Sequence, residues 1–300
     1  MSYLIAGSKG YVGKILYNKL IEKEGEVFGL FRDKTENIYS ITKNDLVNGE
    51  LVIWQGDLSR IGAGLRLTNP KFIVNLTASI NKILSFESIR DLCRNNIEFN
   101  SILANFACEL KTERYVFIST YSTSIDGLTY SPQTFYAATK KAAEDTLVFF
   151  AQSKSLNVSI LHVYDIYGPD QPHRRFLSEM IDALLRNKQF HMSIGNQELN
   201  LIHVSDVISA IIRTLDQPIM LTKENPQHYT LSGDEIIKVR DLPVLVSKYL
   251  NRDWKVKQIV YDLPVRANEI MKFNPEYPRL PGWNPIMKLE EGIRSLIFTK

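Results

Sequence analysis

Tyr136 and Lys140 stand four residues apart in the stretch Tyr136-Ala137-Ala138-Thr139-Lys140, a spacing that puts a phenol and an ammonium on one face of a helix. A free phenol ionises near pH ~10, and a neighbouring cation favours the phenolate, so such a pair can give or take a proton near neutrality. Alone, Y-x-x-x-K is more often a solvated helix face than a catalytic pair. Its company narrows the reading: the apolar run Tyr115 to Ile118 ends at Ser119-Thr120. A hydroxyl at that strand terminus can hydrogen-bond the same substrate oxygen as the phenol and polarise it for hydride arrival. Thr120, Tyr136 and Lys140 form a candidate catalytic triad, in which the lysine can also hold a nicotinamide ribose.

A second constellation lies at the N-terminus. Directly after the apolar run Tyr3 to Ala6 comes Gly7-Ser8-Lys9-Gly10-Tyr11-Val12-Gly13, a G-x-x-G-x-x-G where strand turns into helix. One glycine permits the sharp turn, one lets main-chain N–H groups approach a pyrophosphate, and one allows close helix packing, with the helix N-terminus offering its positive end. A ligand-free glycine turn is the plain alternative. The next strand ends Leu30-Phe31-Arg32-Asp33. Asp33 is placed to accept from ribose hydroxyls, whereas Arg32, with Lys9, can grip a ribose 2′-phosphate. Two cations against one carboxylate favour NADP(H) over NAD(H). Asp57, in Gly56-Asp57-Leu58, can accept from the adenine amino group, and Leu76-Thr77-Ala78 follows the next strand, where ligands of open parallel sheets lie.

The elements that must hold these residues are legible as alternating strands and helices. Apolar runs at Tyr3 to Ala6, Val27 to Phe31, Leu51 to Trp54, Phe72 to Asn75, Tyr115 to Ser119 and Val158 to His162 read as buried parallel strands. Helical periods fill Tyr11 to Glu24, Ser85 to Glu109 and Thr134 to Ser153. The expectation is an α/β, doubly wound parallel sheet (a Rossmann domain) over residues 1–167, followed by a smaller, proline-punctuated C-terminal domain over 168–300. A strand and helix at 199–216 are expected to return to the large sheet.

Composition bounds the rest. With 300 residues, 44% hydrophobic and 23% charged, the chain is long enough for a sizeable core and close to the globular average. The net charge of +3 carries no basic cluster, so neither nucleic acid nor a membrane surface is expected as a partner. Two cysteines, Cys93 and Cys108, lack C-x-x-C spacing, and no disulfide framework or metal site is expected. No apolar stretch approaches 18 residues and no basic leader precedes the first strand, which points to the cytoplasm.

Taken in order, these motifs resemble the extended short-chain dehydrogenase/reductases that act on nucleotide sugars. Further matches are Asn96, Tyr167-Gly168-Pro169, Ile202-His203-Val204-Ser205-Asp206, Gly282-Trp283-Asn284-Pro285 and Leu289-Glu290-Glu291-Gly292. The resemblance implies a dinucleotide-binding first domain and a second that closes over a nucleotide-diphosphate sugar. It also implies a homodimer through a four-helix bundle, with Val163, Tyr164 and Ile166 bordering the nicotinamide. Dehydratases of that family carry Asp-Glu after the threonine, where this chain has Tyr121-Ser122, so dehydration is not expected. The short Thr120 to Tyr136 segment and Asn268-Glu269-Ile270-Met271 look like the 4-ketoreductases that finish deoxy- and dideoxyhexoses, such as CDP-abequose synthase. An NAD-dependent 4-epimerase, using the same triad twice, is one rival, and a dinucleotide-sensing protein that performs no chemistry is the other. Leu199 and Asp165 replace the arginine and asparagine expected near the sugar-nucleotide diphosphate; Arg174, Arg175 and Arg266 are the candidates to supply charge there, each equally able to form a surface ion pair. His162, where the family often has arginine, and His203 both read as core residues.

Overall fold

The structure, a computed structural model, describes residues 1–23, 25–33, 35–45, 49–81, 83–124, 126–172, 175–218, 225–249, 259–263 and 272–298. The chain begins β1 (Ser2–Ala6), α1 (Tyr11–Ile21), β2 (Glu26–Asp33), β3 (Ile38–Asp45), β4 (Gly49–Gly56), α2 (Ile61–Thr68) and β5 (Phe72–Asn75). It continues with α3 (Phe86–Cys93), α4 (Phe99–Glu109), β6 (Arg114–Thr120), α5 (Phe135–Lys154), β7 (Val158–Val163) and β8 (Asp165–Tyr167). Then come α6 (Phe176–Leu185), β9 (Phe190–Met192), β10 (Glu198–His203), α7 (Val204–Leu215), β11 (Gln227–Leu231), β12 (Ile236–Lys238), α8 (Leu242–Tyr249), β13 (Ile259–Tyr261) and α9 (Leu289–Phe298).

Eight strands form one sheet in the order β11-β7-β6-β5-β1-β2-β3-β4. Strands β2, β1, β5 and β6 run parallel, and most of their apolar residues are buried. The reversal of strand order beside β1 puts the turn after β1 at the position where such sheets bind ligands. One edge departs from the parallel expectation. Leu51 to Trp54 belongs to β4, which runs antiparallel to β3, itself antiparallel to β2. Strand β3 is held by Tyr39 and Ile41, both almost fully buried, and Tyr39 stacks on Phe99 of α4 at 5.4 Å between ring centroids.

The helix expected over 85–109 is interrupted. Ser85 caps α3 by accepting from the Ser88 N–H, and a five-residue π turn, Arg94–Glu98, separates α3 from α4. Thr134 caps α5 by accepting from the Ala137 N–H at 3.1 Å, which fixes where the Tyr136-to-Lys140 turn begins.

The chain divides into two compact units, Met1–Thr123 with Thr134–His162 and Ile211–Tyr229, and Ser124–Gln133 with Val163–Ala210 and Thr230–Lys300. In the second, β10 pairs parallel with β8 and antiparallel with β12 rather than entering the eight-stranded sheet, and β13 pairs with β9. Its core is built from Tyr167, Met180, Leu184, Leu242, Val246 and Ile293. Trp283 is buried there, its indole N–H donating to the Ser209 hydroxyl at 2.8 Å, and Asp206 accepts from the N–H groups of Ile286 and Met287. Among the described residues no helix is long and apolar enough to cross a membrane.

Candidate active site

The turn after β1 has the form its glycines require. Gly7 has φ +88°, and a Cβ there would approach the Leu76 backbone to 3.1 Å. A Cβ at Gly13 would collide with the Gly7 carbonyl oxygen, so this glycine lets α1 start against the turn. Gly10 is the N-cap residue and offers no side-chain cap, and the first turn of α1, with Tyr11, Val12 and Gly13, holds no acid. Such a helix start suits a pyrophosphate. Leu76 and Thr77 follow β5, half-buried, with Ala78 exposed. The Leu76 N–H donates to the Ala6 carbonyl, and Thr77 is fixed by Asn75, whose Oδ1 accepts both its N–H and its hydroxyl. Asn75 is fully buried and in turn donates to Asn100 and to the Tyr115 hydroxyl, a satisfied polar network that holds the end of β5.

The charged residues at this end are paired. Arg32 Nη2 lies 3.2 Å from Asp91 Oδ1, and Lys9 pairs with Glu50 while its ammonium lies 5.1 Å from the Phe31 ring centroid. Burial alone would raise the Asp91 carboxyl, but hydrogen bonds from Ser79 and Arg32, the Arg32 charge and Asn95 bring it below its ordinary value. Asp33 accepts from the backbone N–H groups of Thr35 and Glu36. Asp57 caps the short turn Leu58–Arg60, accepting from the Arg60 N–H and the Ser59 hydroxyl, and that hydroxyl is the first reason its carboxyl lies low. Leu58 is buried beneath it.

Thr120 ends β6, and its Oγ1 is 2.9 Å from the Ser122 hydroxyl and accepts the Ser122 N–H at 3.2 Å. Tyr136 is half-buried in the first turn of α5. Thr139 donates to the Tyr136 carbonyl and receives the Asn96 amide, while Asn96 also bonds both backbone groups of Ser79. The π turn carrying Asn96 is thereby tied to the turn carrying Tyr136. Lys140, one turn on, is 1% exposed, with its ammonium 3.8 Å from the Phe117 ring centroid. Burial pulls this lysine down to about 7, with the charge of Glu144 opposing. Glu144, also 1% exposed, accepts the Ser119 hydroxyl and is pushed up to about 7 by burial.

The structure thus brings Thr120, Tyr136 and Lys140 onto the end of one strand and the first turns of one helix. Residues 3–231 match the NAD dependent epimerase/dehydratase family. The chain belongs to this family. Among its relatives, mouse dTDP-D-glucose 4,6-dehydratase is 22% identical over 315 residues, covering 98% of this chain and 87% of that one. CDP-abequose synthase of Yersinia pseudotuberculosis is 22% identical over 213 residues, 71% of this chain and 72% of that one. The fold is shared with the solved UDP-glucose 4-epimerase of Thermotoga maritima, with a TM-score of 0.78 at 18% identity over 99% of this chain and 98% of that one. Family membership makes the chain an NAD(P)-dependent enzyme that modifies nucleotide sugars.

Other expected residues are placed as follows. Val163 is buried at the end of β7, the Tyr164 N–H donates to Leu231, its ring meets Phe273 at 4.8 Å, and Ile166 pairs with Ile202. Arg175 lies 3.7 Å from Asp165, so within the second unit that carboxylate has a cationic partner. Arg174, Arg266 and the 268–271 stretch lie outside the described residues. His162 is a hydrogen-bonded interior residue, Nε2 3.0 Å from His228 Nδ1, and His203 Nδ1 meets the Ser205 hydroxyl at 2.7 Å. Sequence reasoning missed Asp91, Glu50, Glu144 and His228. Only Glu144 carried a signal, its i+4 spacing from Lys140.

Proposed function

We propose that this enzyme reduces a nucleotide-linked 4-keto-deoxysugar to the 4-hydroxy sugar, with Tyr136 as proton donor. The bound nicotinamide dinucleotide supplies the hydride. The residues that would hold its phosphates are Gly7 to Gly13 at the start of α1, with Leu76 to Ala78 beside them and Asp57 and Leu58 toward the adenosine end; the glycine cradle and uncapped helix start support that fit. Thr120 holds the C4 oxygen, Tyr136 gives it a proton, and Lys140 supplies the adjacent positive charge and the ribose contact.

The observation that carries the reading is the pair that follows Thr120. Tyr121 and Ser122 occupy a short 3-10 turn, and the Ser122 hydroxyl is bonded to Thr120. Elimination of water needs its own acid and base, and neither residue is a carboxylate. Carbonyl reduction needs only the triad.

For the cofactor we propose NADP(H), on Arg32 at the end of β2. Arg32 would hold a 2′-phosphate, whose nearly two negative charges would compete with the Asp91 carboxylate for the guanidinium. The second unit is assigned to the nucleotide-diphosphate sugar, and a homodimer is proposed through α3, α4 and α5, supported by the exposed Phe86, Ile89 and Phe149. The deciding experiment incubates the protein with a nucleotide-linked 4-keto-6-deoxyhexose and reduced cofactor. Stoichiometric loss of reduced nicotinamide absorbance supports reduction, and product formed without that loss establishes epimerisation instead.

A further inference from the structure

The corner where β2 passes into β3 holds a cation that the sequence pattern did not single out. Lys9, expected beside Arg32, pairs with Glu50, whose other oxygen accepts the Thr42 hydroxyl at 2.7 Å, so its charge is already matched at the β3–β4 edge. Arg32 pairs with Asp91 of α3. Arg94 is the C-cap residue of α3, three positions after Asp91 and in helical conformation, so the two side chains leave one helical face. Its guanidinium reaches the chain between β2 and β3: with the Asn37 amide oxygen turned toward it, Nη1 and Nη2 donate to that oxygen at 3.0 and 3.1 Å. Among the described residues Arg94 pairs with no carboxylate.

Strand register brings the two arginines to the same corner. Arg32 lies directly opposite Tyr39 in the antiparallel pairing of β2 with β3, so their side chains share a face of the sheet, and Asn37 stands two residues before Tyr39. The Tyr39 ring packs on Phe99 of α4, which fixes this corner against the helices. Burial pushes the Tyr39 phenol up, and the charges of Arg32 and Arg94 act against that rise, while the exposed Glu98 adds to it. Both guanidinium groups therefore bear on one hydroxyl.

The carboxylate at this corner is independently anchored. Asn95 donates to Asp91 Oδ1 at 2.6 Å, and the Ser79 hydroxyl donates to Oδ2. Asp91 keeps these partners when Arg32 turns toward a ligand. Two guanidinium groups against one such carboxylate leave an excess of positive charge at the end of β2, where a dinucleotide's adenosine ribose lies in sheets of this kind. Planar forks of N–H donors suit phosphate oxygens, and the Asn37 contact holds the Arg94 side chain extended, so less of its rotamer freedom is lost on binding.

We propose that Arg94 is the second cation of the adenosine 2′-phosphate site, beside Arg32 and in place of Lys9, and thereby a determinant of cofactor choice. The proposal rests on the NADP(H) reading. Arg32 grips the phosphate from the sheet and Arg94 grips it from the helix side, and the carboxyl oxygens of Asp91 stay with Asn95 and Ser79.

The test is calorimetric binding of adenosine 2′,5′-bisphosphate and of 5′-AMP, which differ only by the 2′-phosphate, to the full chain. Wild type is expected to bind the bisphosphate at least about tenfold more tightly. Arg94→Gln, which keeps an amide to meet Asn37 but removes the charge, is expected to cut that preference about tenfold with the 5′-AMP affinity unchanged. Arg94→Lys, which keeps the charge, retains more of the preference, and Lys9→Gln costs less of it than Arg94→Gln does. A wild-type preference that survives in Arg94→Gln, an equal loss of affinity for both ligands, or a larger loss of preference in Lys9→Gln overturns the role of Arg94 and leaves the NADP(H) reading in place. Equal binding of the two ligands by wild type overturns the NADP(H) reading itself, and the role of Arg94 with it. Neither result involves turnover, so both are independent of the keto-sugar reaction.

Discussion

The Lys140 ammonium rests 3.8 Å from the centre of the Phe117 ring, one buried charge facing one π face. A desolvated contact of this kind contributes about 2 kcal/mol toward keeping the lysine charged. Phe117→Leu keeps an apolar side chain but removes the ring. The expected outcome is a further fall in the Lys140 pKa, so the alkaline limb of the kcat profile moves to lower pH, with about 1–3 kcal/mol of stability lost in denaturant melts. An unmoved alkaline limb would mean that the ring does not hold this charge.

On the role proposed for Arg32, cofactor choice is tested at its ion pair with Asp91. Asp91→Asn keeps the size of the side chain and releases the guanidinium, so the ratio of kcat/KM for NADPH over NADH should rise by about tenfold; Arg32→Ala should lower it by as much or more. Equal ratios in wild type and both variants would remove Arg32 from the cofactor site.

The stacked histidines carry a pH signature in stability. Burial holds His162 down to about 3 and His228 to about 4, against an ordinary value near 6.5. Between those values the unfolded chain binds more protons, so the stability their neutral forms contribute is complete above pH ~6.5 and is lost as pH falls through the window. Glu144 acts oppositely: its raised value contributes stability below its ordinary range that is lost as pH rises through about 7. The variant difference separates the two. On moving from pH 7 to ~4.5, wild type should lose more stability than His228→Gln in urea melts, and parallel losses would show that His228 does not titrate as placed.

Phe86 and Phe149 are 72% and 55% exposed on α3 and α5. If these helices meet a second copy, replacing both with glutamate should convert a dimer to a monomer in light scattering, with the far-UV spectrum unchanged. A wild-type monomer at micromolar concentration contradicts the dimer.

The sequence carried the β1-turn-α1 unit because three glycines are required by local geometry, at Gly7 by its positive φ and at Gly13 by its contact with Gly7. It carried the Tyr136–Lys140 spacing because both residues lie on α5. Strand β3 was missed although Asn44-Asp45 at its end and Asn48-Gly49 beyond it are turn signals, because its apolar residues Ile38, Tyr39 and Ile41 are broken by Ser40 and give no long apolar run. The antiparallel direction of β4 depends on its partner rather than its composition. Asp91 meets Arg32 across 59 positions, and His228 meets His162 across 66, relations that spacing cannot express.

The central claim is that the Tyr136 phenol delivers the proton that completes reduction. The most direct measurement compares wild type with Tyr136→Phe for consumption of reduced nicotinamide in the presence of a nucleotide-linked 4-keto-6-deoxyhexose. The expected result is one equivalent consumed per sugar reduced by wild type, and kcat lowered by about 10²- to 10⁴-fold in the variant with cofactor binding retained. Turnover in Tyr136→Phe equal to wild type, or product without cofactor consumption in wild type, contradicts it.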